Sequence, residues 1–223
     1  LSNGVGTPEV VNIARNKKVN SLYGTASFAY KNKWFVDITG RNDWSSTLPF
    51  QNNSFFYPSV STSFLLSDLF TLPSQISFAK FRASWAQVGN DTEPYRTARY
   101  FSNTGFGGSY SSPTTRPGGD DLKPEIITNR ELGLDIRFFK NRLSLDLTYY
   151  NSNSRNQILE VPNDPSTGYT HRIFNAGLIN NIGWEAAIGV SPLSNKSKLK
   201  WKSTITWSTN KSLIKELAPG VES

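Results

Sequence analysis

Residues 131–150 read ELGLDIRFFKNRLSLDLTYY and contain two alternating runs joined by a short polar turn at Lys140-Asn141. The apolar members of the two runs are Leu132, Leu134, Ile136, Phe138, Leu143, Leu145, Leu147 and Tyr149. Charged, hydroxyl or glycine residues occupy most positions between them. Because a period of two places successive side chains on opposite faces of a β-strand, the stretch predicts an antiparallel hairpin with one apolar and one polar face.

The same alternation recurs along the chain. It is found in the ranges 22–30, 34–41, 182–190 and 201–207. The first two of these runs are separated only by Lys31-Asn32-Lys33, which is typical of a tight hairpin turn. The pattern predicts an all-β, antiparallel chain of about eight strands.

Short and long connections alternate in this interpretation. The short ones are Lys31 to Lys33, Ser67 to Ser74, Lys140 to Asn141, and Pro192 to Lys198. The long polar ones are Asn42 to Tyr57, Gly89 to Pro124, and Asn151 to Asn180. Outer-membrane barrels have short periplasmic turns and long extracellular loops, so the alternation favours a transmembrane β-barrel segment.

Composition excludes several classes of function. The chain has no cysteine and one histidine, His171, which we expect in a loop; disulfides, thiolate metal sites and multi-histidine metal sites are therefore not expected. No nucleophile, metal cluster or carboxylate pair stands out, and we expect neither an enzyme nor a cofactor. The net charge of +7 is scattered, without a nucleic-acid-binding motif, so no nucleic-acid partner is predicted.

Five phrases resemble, in order, the C-terminal barrel of SusC/RagA-type TonB-dependent transporters. They are Arg41-Asn42-Asp43-Trp44-Ser45-Ser46 with Tyr57-Pro58-Ser59-Val60-Ser61; Lys80-Phe81-Arg82-Ala83-Ser84 through Gly89-Asn90; Leu122-Lys123-Pro124-Glu125; Glu131-Leu132-Gly133 through Leu143; and Asn175-Ala176-Gly177 through Glu185. Ala86 departs from the glycine that this family often has. Together the phrases lie between about residues 20 and 215.

The resemblance implies a part of a larger protein. A barrel of this family has 22 strands around a plugged lumen. We therefore expect residues 1–223 to be a partial barrel domain, with the plug domain and the remaining strands outside it. The resemblance also implies import of a bulky nutrient, an oligosaccharide or peptide, across the cell outer membrane. The partners it implies are the rest of the barrel and the plug, a SusD-like lipoprotein lid, the TonB complex acting through the missing N-terminal part, and outer-membrane lipid.

Two groups of residues are candidates for function. Loop aromatic residues are predicted to contact substrate: Trp44, Tyr95, Tyr100, Phe106 and Tyr110. Polar residues predicted to face the lumen or plug are Arg41, Asp43, Asn90, Glu131 and Asp135. The alternatives are a secreted β-sandwich that binds carbohydrate, a siderophore receptor, and a SusC-like barrel recruited as a structural subunit of another outer-membrane assembly.

Overall fold

The computed structural model describes residues 14–103, 110–111, 113–193 and 197–216, which are mostly β-strand. In chain order the strands are β1 (Val19–Tyr30), β2 (Trp34–Ser45), β3 (Ser54–Leu65), β4 (Ile76–Asn90), β5 (Ser102–Asn103), β6 (Tyr110–Ser111), β7 (Thr115–Arg116), β8 (Glu125–Phe138), β9 (Leu143–Pro162), β10 (His171–Val190) and β11 (Ser203–Glu216). A helical turn, α1 (Leu66–Leu69), joins β3 to β4. Short 3-10 turns lie at Phe50–Asn52, Gly119–Asp121 and Pro165–Thr167.

The long strands form one antiparallel sheet in the order β1-β2-β3-β4-β8-β9-β10-β11. Each long strand pairs with its neighbour in this order, and the short β7 adds a parallel pairing to the start of β10. Strands β5 and β6 form a separate two-stranded hairpin. The described residues leave β1 and β11 as the two unpaired edges, so the sheet is open. The prediction of about eight antiparallel strands is confirmed.

Two tight turns close one end of the sheet. Lys31 and Asn32 have φ values of 52° and 53°, and Phe139, Lys140 and Asn141 have φ values between 52° and 65°. Positive φ at consecutive turn residues matches the right-handed twist of the flanking strands, and asparagine tolerates it better than most residues. The predicted turns at these two places are confirmed, and the predicted short connection Ser67 to Ser74 lies between β3 and β4 as expected. Residues 194–196 of the fourth predicted short connection lie outside the described residues.

The prediction of a long loop at residues 151–180 is wrong. Strands β9 and β10 remain paired from Asn151–Ile182 to Pro162–His171, so only residues 163–170 connect them. His171 is consequently the first residue of β10 and not a loop residue. Residues 151–157 of β9 are all polar, so this part of the strand carries no alternation for a sequence pattern to detect.

Asparagine side chains stabilise the base of this extension. Asn180, only 1% exposed, donates from Nδ2 to the Oδ1 atoms of Asn151 and Asn153, at 2.7 and 2.9 Å. Asn153 in turn donates to Asn151 at 3.2 Å. The amide network joins β9 to β10 through a buried side chain, so these hydrogen bonds help to fix the register of the two strands.

The other two predicted loops differ in their outcome. The loop expected at 42–57 is shorter, because β2 continues to Ser45 and β3 begins at Ser54. The long connection between β4 and β8 is confirmed, and its described residues form β5 to β7 and one 3-10 turn. All three of these connections lie at the end of the sheet opposite the tight turns.

The two faces of the sheet differ in chemistry. One face carries the large apolar side chains, with Trp34 stacked on Phe64 at 5.6 Å and Tyr149 against Trp184 at 4.9 Å between ring centroids. Many of these side chains are exposed; Phe28, Trp207 and Ile205 each expose more than half of their surface. A soluble β-sandwich would cover such a face with a second multi-stranded sheet, whereas the second sheet among the described residues is only the two-residue-long β5–β6 hairpin. The sandwich alternative is therefore wrong.

Candidate functional site

The polar face forms a shallow hollow across β2, β3, β4, β8, β9 and β10. Its charged lining consists of Asp37, Lys80, Arg82, Glu131 and Glu185, with serine, threonine and glycine between them. Arg82 pairs with Asp146 at 2.8 Å, and Ser27 donates to Asp37 at 2.6 Å. The hollow is wet and mixed in charge, which suits a surface that contacts water or another polar protein surface better than a folded core.

The predicted lumen residues fall into separate contacts. Arg41 and Asp43 form one pair, with Nε to Oδ1 at 2.8 Å, and Tyr57 donates to the other oxygen of Asp43 at 2.5 Å. Asp43 is only 6% exposed, so its carboxylate is held by these donors rather than by water.

The other three predicted lumen residues lie elsewhere. Glu131 is exposed in the polar hollow, while Asp135 accepts from Arg137 at 3.1 Å. Asn90 ends β4 and donates to Glu125 at 3.0 Å. The structure therefore brings Arg41 and Asp43 together and keeps Glu131, Asp135 and Asn90 apart.

The predicted substrate-contact aromatics also separate. Tyr95 and Tyr100 meet edge to face at 5.3 Å between ring centroids, and about half of each side chain is exposed. Trp44 alternates with Arg41 and Asp43 along β2, so it lies on the opposite face from that pair. Phe106 lies outside the described residues, and of Tyr110 only its place in β6 is described.

Sequence reasoning missed Arg99. Its guanidinium lies over the rings of Phe101 and Tyr169, at 5.6 and 5.0 Å from their centroids. Cation–π contacts of this kind connect the β4–β8 connection to the tip of the β9–β10 hairpin. No sequence pattern links a residue near position 99 to one near 169, because the contact depends on the length of the extended hairpin.

A small apolar cluster packs these connections together at the loop end. Leu48, Phe55, Leu122 and Ile173 are its buried members, and Tyr57 and Ile158 pack against it. Each of the four comes from a different segment: the β2–β3 loop, β3, the β4–β8 connection and β10. We call this group the mouth cluster. It fixes the loop end of the sheet, so that the connections there are packed and not free.

Asp91, which follows β4, organises the polar contacts beside the mouth cluster. It accepts hydrogen bonds from Lys17 and Ser45 at 2.5 Å each and from Thr47 at 3.2 Å. Burial raises the pKa of the Asp91 carboxyl, but the bonds from Lys17, Ser45 and Thr47 outweigh burial and leave its pKa below the ordinary value. Asp91 is therefore ionised at neutral pH and binds three other positions of the chain.

No group of three histidine, cysteine or acidic side chains is placed to hold a metal ion in the ranges 14–103, 110–111, 113–193 and 197–216. Across the same described ranges, no helix has the length and hydropathy that a membrane-crossing helix needs.

An open antiparallel meander with an apolar outer face, a polar opposite face, tight turns at one end and packed loops at the other defines the wall of an outer-membrane β-barrel. The family model described as "TonB dependent receptor-like, beta-barrel" matches residues 2–219. The chain belongs to this family of outer-membrane TonB-dependent receptor barrels.

Curated relatives from Formosa agariphila are similar over most of the chain. TonB-dependent receptor P26 is 30% identical over 207 residues, which is 90% of this chain and 21% of the relative. TonB-dependent receptor P3 is 27% identical over 227 residues, which is 99% of this chain and 23% of the relative. The chain thus spans less than a quarter of the length of either relative.

Solved structures show the same fold. The RagAB peptide transporter aligns with a TM-score of 0.82 and 22% identity, covering 92% of this chain and 23% of the solved one. The siderophore receptor PirA from Pseudomonas aeruginosa aligns with a TM-score of 0.57 and 18% identity, covering 89% of this chain and 35% of that structure. The expected TonB-dependent barrel is confirmed by the family match, and the likeness to RagAB shows that the fold is the same.

Proposed function

We propose that this chain forms a sector of the wall of a larger barrel that imports a bulky nutrient, an oligosaccharide or peptide, with energy delivered by TonB. The observation that carries the proposal is the two-faced open sheet, matched by the family over residues 2–219. An apolar face suits lipid and a polar face suits a lumen, and both are needed in a transporter wall. RagAB, to which the fold is similar, is described as a peptide importer.

The two open edges support the view that further strands complete the wall. β1 and β11 are exposed along their whole described length, and each presents unpaired backbone groups. Such edges carry a large free-energy penalty in lipid, where no water satisfies them. Strands from outside residues 1–223 would pair with both edges and bring the barrel towards the 22 strands of plugged transporters.

The proposed partners follow from the two ends and two faces of the wall. A plug domain would contact the polar hollow, with Glu131 and Asp135 among the groups facing it. A SusD-like lipoprotein would cover the loop end, where the mouth cluster gives a packed surface. The TonB complex would act through the plug, and outer-membrane lipid would contact the apolar face. Neither catalysis nor nucleic-acid binding is part of the proposal.

Cargo contact is proposed for the exposed loop aromatics. Tyr95 and Tyr100 present adjacent rings at the loop end, and aromatic rings pack well against sugar faces and peptide side chains. For Phe106 and Tyr110 the proposal rests on the sequence alone. Trp44 lies within β2 on the face opposite Arg41 and Asp43, so its place does not support the contact that the sequence predicted.

The test is a growth assay in the source bacterium. The gene that encodes the full-length protein is deleted, and growth is measured on a panel of oligosaccharides and peptides as sole carbon or nitrogen source. We expect loss of growth on one class of nutrient and recovery when the gene is restored. Unchanged growth and unchanged uptake of every labelled oligosaccharide and peptide in the panel would refute import of this cargo class.

A further inference from the structure

A short segment before β1 contacts the residues that follow β4. Residues 14–18, which we call the entry segment, lead into β1, the edge strand. In the sheet, β2 and β3 separate β1 from β4, so the axes of β1 and β4 lie about 14 Å apart. Lys17 nevertheless reaches Asp91 directly, with Nζ to Oδ1 at 2.5 Å. The entry segment and the residues after β4 therefore meet at the loop end of the sheet, where Asp91 also bonds Ser45, the last residue of β2.

Three consecutive residues of the entry segment meet the residues that follow β4. Besides the Lys17 contact, the backbone N–H of Asn16 donates to the hydroxyl of Tyr95 at 3.3 Å, and Arg15 lies 3.8 Å from a carboxylate oxygen of Glu93. Lys18 is joined to the β2–β3 loop instead. Its N–H donates to Ser46 Oγ, and its carbonyl accepts from the N–H of Ser46, both at 2.9 Å.

These contacts are unequal in strength. Arg15 and Glu93 are about 60% exposed, and an ion pair in such a setting contributes little. The Asp91 side chain is only 10% exposed, so its bond to Lys17 is poorly screened by water. The same carboxylate is also the acceptor for Ser45 and Thr47, which are 2% and 1% exposed. Loss of the carboxylate would weaken two buried hydroxyl contacts together with the lysine contact.

We infer that Asp91 is the positioning residue of the mouth: it ties the entry segment to the residues that follow β4, so that the entry segment and residues 91–95 move as one unit. The inference rests on the proposed function only in taking this end of the barrel as the entrance for cargo. The strand ladders do not depend on Asp91, because it follows the last residue of β4. Removing its charge should therefore release the entry segment without opening the wall.

The experiment uses the full-length protein in outer-membrane preparations and limited digestion with trypsin. Trypsin cleaves after lysine and arginine, and the entry segment offers Arg15, Lys17 and Lys18. We expect Asp91→Asn to raise the rate of cleavage in this segment about tenfold, a change equivalent to ~1.4 kcal/mol in the opening equilibrium. Asp91→Glu, which keeps the carboxylate, should restore part of the protection. Abundance in the membrane should be unchanged.

Two further variants keep the test decisive. Lys17→Met removes one partner and leaves Asp91 with Ser45 and Thr47, so cleavage after Arg15 and Lys18 should also increase. If Asp91→Asn does not assemble, the result for Lys17→Met tests the inference in its place. Asp164→Asn is the matched control, because the Asp164 carboxylate caps a 3-10 turn at the hairpin tip through the N–H of Ser166.

Cleavage at the parental rate in Asp91→Asn would overturn the inference, as would an equal increase in Asp164→Asn. Cleavage reports on the entry segment whether or not cargo is imported. A failed growth assay with a positive cleavage result would therefore count against the proposed function alone.

Discussion

Placing arginine at increasing depth on the apolar face of β8 should give a graded loss of barrel assembly. Leu134, Ile136 and Phe138 occupy successive positions on that face, and Phe138 is the last residue before a tight turn. Alternate residues are about 6.8 Å apart along a strand, which at a tilt of about 40° is about 5 Å of membrane depth. Relative to Phe138, Ile136 therefore lies about 5 Å and Leu134 about 10 Å further into an apolar band about 25 Å tall.

The expected cost follows this depth. Arginine costs about 2–4 kcal/mol at the midplane of a barrel and about 0–1 kcal/mol near the interface. We expect Leu134→Arg to lie near the upper value, Ile136→Arg near the lower end of the midplane range, and Phe138→Arg to be nearly neutral. Leu134 is assigned to the apolar face because it lines an apolar groove with Leu147 and Trp184.

The assay is the abundance of each full-length variant in the outer membrane, together with the fraction that keeps folded mobility in unheated gel electrophoresis. Thr206→Arg is the control, because Thr206 lies on the polar face beside Asp146 and Glu185 and its new charge would remain in water. Equal assembly of Leu134→Arg and Thr206→Arg would refute the assignment of the two faces, and an order of loss that does not follow depth would refute the placement of the band.

Three further outcomes are expected. Gly89→Ala should destabilise the mouth by about 1–3 kcal/mol, because the new Cβ would lie 2.3 Å from the ring of Phe55. In the control Gly24→Ala, the new Cβ meets nothing within 4 Å, so thermal unfolding should be nearly unchanged. The Asp91 carboxyl has a lower pKa in the folded protein than in the unfolded chain, so its contribution to stability is complete above the unfolded pKa and is lost as pH falls through the folded pKa. Hydrogen exchange in residues 14–18, corrected for intrinsic rate, should therefore stay constant from pH 7 to about 5 and rise below about 4. A rise between pH 7 and about 5 would contradict this. Tyr100→Ala should reduce cargo uptake at unchanged barrel abundance, and unchanged uptake would make the contact of Tyr100 with Tyr95 purely structural.

The membrane-spanning part of the sheet was predictable because each strand there lies between two different solvents. The alternation in β8 and β9 identified both strands, their faces and the turn at Lys140-Asn141. Beyond the apolar band, residues 151–157 of β9 are all polar, so the sequence there carries no period of two. Strand pairing there depends on side-chain amides that bond across β9 and β10, and such contacts become visible only when the register is known.

The candidate site was predictable only within a strand or a motif. Arg41 and Asp43 are two residues apart in β2, so the alternation correctly put them on one face, where they pair. Asp91 was missed, because its partners Lys17, Ser45 and Thr47 are brought to it by loop packing. The contact of Arg99 with Tyr169 has the same origin.

The order of strands in the sheet has a consequence for how the wall assembles. Most paired long strands among the described residues follow each other directly in the chain and are joined by short connections. The exception is β4 with β8, which are separated by the connection of residues 91–124. Because loop-closure entropy grows with the logarithm of loop length, closing this connection costs about 2 kcal/mol more than closing the turn at residues 139–142. We therefore expect strands to pair first within two units, β1–β4 and β8–β11. The two units then join last, when β4 pairs with β8. Shortening the 91–124 connection should speed insertion of the barrel even where it leaves the final stability unchanged.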